Sequence, residues 1–332
     1  MIVTINGPEK IGRLTDQRAE RIHLMEGITS YVDQTPEQRQ RAAAFDAPYE
    51  PVNLPDVPTE DMVVPGPRGD IPVRLYTPEN LVEPDEHGLR PAFVWLHGGA
   101  FLFGDIDMPE GDHTAKRVAA ATGIPVISVD YRLCVDGAHH PVCHDDCWAA
   151  YQWVRSSGHG IATDPQRVAI GGGSAGAALA GTVGVHGRDV GEAPSSLVLI
   201  YPVAHAPIPA PDDELRALLE TLPPIFHLTE ASNTRMMDNY LGEGGLPEEN
   251  PGYALPGMAE DLSGLPPTYI ENCEFDDLRA SGEKFADQLR DAGVHVESHT
   301  IPGEMHGHLN APGMATAIAT CDHISTWLKA TL

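Results

Sequence analysis

Past residue 55 the chain alternates two kinds of apolar segment: short continuous runs, and longer stretches with their apolar residues on one helical face. The short runs cover residues 92–96, 125–129, 168–170, 196–201, 268–273 and 294–300. Their length and continuity predict strands buried on both faces. Between and after them, residues 112–122, 145–156, 175–186, 279–292 and 315–329 carry helical patterns. Strands joined by helical crossovers imply an α/β fold around a mainly parallel sheet. Ahead of this alternation, DMVVPGPRGDIPVRLYTP (61–78) places two β-like runs around a Pro/Gly turn and predicts a hairpin.

Two regions break the rhythm. Residues 9–50 read as polar amphipathic helix, stopped by a Pro-rich stretch over 48–58. Residues 202–256 are also Pro-rich and hold helical pieces at 212–222 and 230–240, but no strand pattern. The chain therefore divides into 1–50, a first core part 51–201, an insertion 202–256 and a second core part 257–332. Open α/β sheets bind ligands beyond the carboxyl ends of their strands. An insertion over that end, joined by the N-terminal segment, would form a lid.

Charge narrows the class of partner. Forty-eight acidic residues against 21 basic ones give a formal charge of −27. A field of that sign repels phosphate backbones and anionic headgroups, so neither nucleic acid nor a membrane surface is expected as a partner. A small neutral substrate suits it better, and a homodimer is an assembly it admits. No apolar run reaches bilayer-spanning length, and residues 1–27 lack the apolar centre of a secretory signal. Five cysteines in 332 residues make no dense disulfide framework, so a reducing cytoplasm is the expected location.

The strand at 168–170 runs into Gly171-Gly172-Gly173-Ser174-Ala175-Gly176 and then a helix of small residues. Gly172, Ser174 and Gly176 form the GxSxG nucleophile elbow, a chain reversal that flanking side chains would obstruct. It presents the serine hydroxyl at a helix N-terminus, where backbone N–H groups favour developing negative charge. A phosphate loop would carry lysine after its glycines, and Ala175 stands there instead. The strand PAFVWL ends in His97-Gly98-Gly99-Ala100-Phe101-Leu102-Phe103-Gly104, an HGGG-type oxyanion loop. The N–H groups of Gly98, Gly99 and Ala100, with that of Ala175, are expected to hold an alkoxide. His97 is read as anchoring this loop.

With these motifs, and with Ser128-Val129-Asp130-Tyr131-Arg132-Leu133, Leu199-Ile200-Tyr201-Pro202, Glu274-Phe275-Asp276-Asp277-Leu278-Arg279 and Gly303-Glu304-Met305-His306-Gly307, the chain resembles the bacterial hormone-sensitive-lipase-like (family IV) carboxylesterases. The resemblance spans nearly everything past residue 55 and keeps the family's motif order. It implies an α/β-hydrolase fold with an eight-stranded sheet, a two-part helical cap and hydrolysis of short-chain esters. Three places depart from the family pattern. Gly173 stands where an acid usually precedes the serine, residues 134–141 read CVDGAHHP, and Ala280 replaces a common acid.

The remaining catalytic partners follow from chain order, since α/β-hydrolases place the acid and then the histidine after the serine. His306 lies just past the last strand. His308 is its rival, and His299 falls within the strand, where packing is the expected role. The acid should follow the strand at 268–273, where Glu271, Glu274, Asp276 and Asp277 are candidates. The residues alone leave Asp276 and Asp277 level, and the resemblance selects Asp276. No cofactor is required by this chemistry. The dense run His139-His140-Pro141-Val142-Cys143-His144-Asp145-Asp146-Cys147 invites a zinc site. It lacks a paired CxxC or HExxH spacing, and the start of an amphipathic helix explains it better. Phe226, Met236 and Met237 suit either an acyl pocket or ordinary lid packing. Two other readings use the same scaffold. A non-catalytic small-molecule-binding protein would discard the histidine, and a lyase would alter the oxyanion loop; neither change is present.

Overall fold

The computed structural model describes residues 13–29, 33–227 and 229–332. Five of the six apolar runs form the middle of an eight-stranded sheet: β1 (Thr59–Val64), β2 (Ile71–Tyr76), β3 (Arg90–Leu96), β4 (Val126–Val129), β5 (Thr163–Gly173), β6 (Leu197–Ile200), β7 (Thr268–Phe275) and β8 (Val296–Met305). The sixth run, 294–300, falls on the half-exposed edge strand β8 instead of being buried on both faces. The strand order is β1-β2-β4-β3-β5-β6-β7-β8. The first two pairings, β1 with β2 and β2 with β4, are antiparallel, and all later ones are parallel. This is the α/β-hydrolase sheet, and the hairpin at 61–78 is its β1–β2 edge. Every residue of β4, β6 and β7 is buried, whereas most of β1 is exposed. Sequence pattern and sheet position therefore correspond, because only a strand covered on both faces can be apolar throughout.

Helices cover both faces. On one side α4 (Val142–Arg155), α5 (Ala175–Asp189) and α8 (Arg279–Asp291) pack Cys143, Cys147, Tyr151, Leu179 and Phe285 against Val94, Leu96, Ile127 and Ile170. On the other, α3 (Pro109–Thr122) and α9 (Ala315–Thr331) close over Phe93, Trp95, Val126 and Val198 with Val118, Ile324 and Trp327. Cutting one of these large side chains back to alanine should cost about 2–5 kcal/mol. Among the described residues no helix is long and apolar enough to cross a membrane.

Two strands outrun their sequence signal. β5 begins at Thr163, before the apolar run at 168–170, and β8 continues through Pro302-Gly303 to Met305. Its pairing with β7 shifts between Cys273 and Phe275, and Gly303 takes φ 72° there. The Pro-Gly pair thus marks a bulge in a continuing strand, not its end. β8 is also an edge strand, which leaves His299 exposed where packing was expected.

Above the carboxyl ends lie α1 (Asp16–Arg21), α2 (Pro36–Asp46), α6 (Asp213–Leu219) and α7 (Glu230–Leu241). Thr15, Thr35, Asp212 and Thr229 cap their first turns through side-chain oxygens, which satisfies N–H groups that a helix start leaves unpaired. Leu14 and Ile22 meet Leu215, Leu219 and Phe226, and this cluster rests on Phe275 and Met305 at the ends of β7 and β8. Phe226 also packs on Phe45, ring centres 5.2 Å apart. Met237 instead joins the main core, with Met236 packed partly against it. Arg18 makes a buried ion pair with Glu304, Nε to Oε2 3.1 Å, two residues before His306. The expected N-terminal stretches at 9–12 and 30–32 lie outside the described residues.

Candidate active site

Strand β5 feeds directly into α5, and the residue at the joint, Ser174, is held at φ 53° and ψ −117°. That backbone is strained for any residue with a side chain, by roughly 1–3 kcal/mol. The surroundings impose it. The Ser174 N–H is fixed to the Ile200 carbonyl at 2.9 Å, and its own carbonyl accepts from Ala178 at 3.1 Å. Gly176 passes so close to the Leu96 and His97 carbonyls that a β-carbon would overlap them. The result aims the hydroxyl away from the sheet at the start of α5.

Asp276 and His306 arrive from the ends of β7 and β8, which lie beyond β6 from β5 in the sheet. Ser174 Oγ lies 2.9 Å from His306 Nε2, and His306 Nδ1 lies 2.7 Å from Asp276 Oδ2. A carboxylate only accepts, so Nδ1 carries the proton and Nε2 is the acceptor for the serine hydroxyl. The second oxygen of Asp276 accepts from the Leu278 N–H at 2.9 Å, which orients the carboxylate. Burial disfavours the charged imidazole, but the nearby carboxylates of Asp276, Glu110 and Asp277 outweigh it. The ring's pKa is raised above its ordinary value.

The other candidates are engaged elsewhere. His308 is fully buried, with Nε2 2.8 Å from Thr320 Oγ1 and Nδ1 3.3 Å from Cys273 Sγ. Burial lowers its pKa. Glu271 accepts from Tyr269, Thr320 and His323, and Glu274 accepts from the Gly303 N–H at 2.6 Å.

The loop after β3 approaches Ser174 from the opposite side. Gly99 has φ 122°, and a β-carbon there would collide with the Phe103 carbonyl, so this turn requires glycine. Ala100 and Phe101 also take positive φ, 54° and 63°. Among the described residues, no protein acceptor takes the N–H of Gly99, Ala100 or Ala175. Gly98 corrects the expectation. Its N–H is turned to the Glu110 carboxylate, so it is not free to bind an oxyanion. What Gly98 supplies is space, since a β-carbon there would lie 3.1 Å from that of Ser174. His97 is buried, with Nδ1 2.7 Å from the Gly98 carbonyl and its ring stacked on Tyr131 at 4.4 Å.

Glu110, Tyr201 and Asn310 were not anticipated as neighbours of the site. Tyr201 lies in the Leu199-Ile200-Tyr201-Pro202 motif, which gave it no role, and the other two carry only an acid at a helix start thirteen residues past His97 and an asparagine four past His306. The His/Cys-rich run resolves into packing. Cys143 and Cys147 face the core from α4, His144 Nδ1 lies 2.9 Å from Thr182 Oγ1, and His139 Nδ1 lies 2.6 Å from the Asn239 carbonyl. No group of three or more His, Cys, Asp or Glu side chains among the described residues is arranged to hold a metal.

Residues 93–310 match the family model of the α/β-hydrolase fold. The chain is a hormone-sensitive-lipase-like carboxylesterase of the α/β-hydrolase superfamily. The esterase LipI of Mycobacterium tuberculosis is 33% identical over 274 residues, covering 82% of this chain and 81% of LipI. Carboxylesterase NlhH from the same organism is also 33% identical, covering 78% of each chain. Among solved structures, an esterase from Pyrobaculum calidifontis superposes with a TM-score of 0.71 at 30% identity, covering 84% of this chain and 86% of that one. Within this carboxylesterase family the matched span runs from β3 to just past His306, and so includes the elbow and the oxyanion loop.

Proposed function

We propose that this carboxylesterase hydrolyses small neutral esters with short acyl chains, acetyl to about hexanoyl, by a Ser174–His306–Asp276 triad and an acyl-enzyme. The observation that carries the reading is the imidazole of His306 spanning 2.9 Å to Ser174 and 2.7 Å to Asp276. His306 Nε2 takes the hydroxyl proton as Ser174 Oγ attacks the ester carbonyl carbon. The N–H groups of Gly99, Ala100 and Ala175 hold the oxyanion. The same ring then passes its proton to the departing alcohol oxygen. Water enters, loses a proton to Nε2, and attacks the acyl carbon to release the acid and restore the serine. Asp276 keeps the tautomer and stabilises the imidazolium without taking a proton. No step calls on a cofactor.

The two helical segments around α1–α2 and α6–α7 act as a cap that closes the acyl side. Their shared apolar cluster over Phe275 and Met305 supports this, because a wall there limits the length of chain that can be buried. Each buried methylene favours binding by about 0.8 kcal/mol until the wall is met. Overpacking beyond it costs about 1–3 kcal/mol. A fluorophosphonate probe tests the nucleophile: it should label Ser174 alone, and mass mapping to another serine would overturn the triad. A panel of p-nitrophenyl esters tests the acyl range.

A further inference from the structure

Helix α3 opens with Pro109-Glu110, and Glu110 sends its carboxyl group into the core beside the nucleophile, leaving the residue 1% exposed. Three donors converge on it. Oε1 accepts from the Gly98 N–H, and Oε2 accepts from the Tyr201 hydroxyl at 2.6 Å and from Asn310 Nδ2 at 3.1 Å. The main chain of Glu110 is pinned as well. Its N–H donates to Asn310 Oδ1 at 3.1 Å, and its carbonyl accepts from the Trp95 indole at 2.8 Å. These partners come from separate parts of the site. Gly98 begins the oxyanion loop, Tyr201 follows β6 and sets its ring edge-on to His306 at 4.9 Å, and Asn310 follows His306 by four residues.

A second observation is steric and independent of those bonds. A β-carbon on Gly173 would lie 2.6, 2.7 and 2.9 Å from the three carboxyl atoms of Glu110. Positions 110 and 173 therefore compete for one volume next to Ser174, and only one of them can fill it.

We propose that Glu110 is a positioning residue for the esterase reaction: from α3 its carboxylate fills the volume left open by Gly173 and ties the oxyanion loop, Tyr201 and the segment after His306 into one arrangement. By claiming the Gly98 N–H, it fixes the turn from which Gly99 and Ala100 present theirs. Every partner of the carboxyl is a donor, a set matched to the ionised form. Burial nevertheless raises its pKa above the ordinary range, opposed by the bonds from Tyr201 and Gly98 and by His306. The negative charge also acts on His306, whose other titratable neighbours are Asp276, Asp277 and His308, with Tyr201 against its ring.

The inference rests on the Ser174–His306 reading, and the experiment separates the two. Glu110→Gln, Gly173→Asp and the double variant Glu110→Ala with Gly173→Asp would be assayed on p-nitrophenyl butyrate, with fluorophosphonate labelling alongside. Glu110→Gln turns an amide donor against existing donors, so kcat should fall about 10- to 100-fold with KM changed less than about threefold. Its kcat/KM profile should also move its acid limb to lower pH, because a negative charge next to His306 is gone. Gly173→Asp alone should be impaired by crowding, and the double variant should exceed Gly173→Asp in turnover, since the acid then has the volume to itself. Wild-type kcat and pH profile in Glu110→Gln, with Ser174 labelled, would overturn the positioning role alone. Labelling of a different serine would overturn the triad itself. Should Glu110→Gln not fold, the double variant decides: recovered turnover supports the shared volume, and additive loss refutes it.

Discussion

The strand ends that carry Ser174, Asp276 and His306 and the helical layer above them are built on different terms. In the strand-end region the triad side chains and the Gly98 N–H have named partners, and among the described residues the N–H groups of Gly99, Ala100 and Ala175 are left open. The strain at Ser174 is enforced by main-chain bonds to Ile200 and Ala178. The layer above combines apolar contacts such as Phe45 on Phe226 with hydrogen bonds mostly within its own segments, as from Arg21 to the Pro48 carbonyl and Arg41 to the Leu24 carbonyl. A buried ion pair, Arg18–Glu304, reaches down to the histidine loop. Geometry is over-determined in the first region and adjustable in the second. Chemistry should therefore fail steeply when the lower region is altered, while the upper region should shift selectivity and stability by degrees.

The largest effect should come from Ser174→Ala, with a loss of kcat on the order of 10⁶ as for other triad serines, and an unchanged circular-dichroism spectrum. Near-normal turnover by that variant would remove the distinction altogether. Asp276→Asn should lower kcat by about 10⁴ through the wrong imidazole tautomer. Asp277→Asn should be mild, and a reversal of the two in steady-state kinetics would shift the acid by one residue. For the upper layer, Arg18→Met leaves the buried Glu304 carboxylate without a counter-charge, held by donors such as the Thr15 and Thr316 hydroxyls, and should cost about 3–5 kcal/mol in denaturant unfolding. Because Glu304 lies two residues before His306, kcat should fall with it. A stable, fully active Arg18→Met would show that the two regions are not joined there. Acyl preference should peak at short chains, roughly two to six carbons, then fall steeply. Equal turnover of palmitoyl esters would show that the layer does not bound the pocket. The smallest effect concerns pH. The ring must be neutral to accept the serine proton, and the neighbouring carboxylates raise its pKa above the ordinary imidazole value. Turnover should therefore rise with pH through a limb placed above that value, and a limb below it would contradict the carboxylate environment.

The same contrast explains what could be read from the sequence. Central strands were legible because burial on both faces leaves only apolar residues, as in Leu197–Ile200. The elbow was legible because sterics at Gly176 permit nothing larger. The reach of β8 was not, because Pro302-Gly303 has the local signature of a turn and only pairing with β7 carries the strand past it. The direction of the Gly98 N–H was equally hidden, being set by a carboxylate twelve residues away in sequence and on another element. In the layer above, an apolar side chain looks alike whether it lines a pocket or packs on a neighbour. Phe226 meets Phe45 and Met237 joins the core, and neither placement was fixed by residue type.

The bond between Arg18 and Glu304 spans 286 positions of chain. A ribosome adding 5–20 residues per second needs roughly 15–60 s to cover that distance. Throughout that interval α1 has been made and the carboxylate that neutralises its arginine has not. Helix α1 can meet its apolar neighbours on α2 and α6 earlier, but its arginine must wait for β8, the last described strand. The histidine loop gains this ion pair only when α1 meets β8, so a chain stalled before β8 holds the serine elbow and no means of using it.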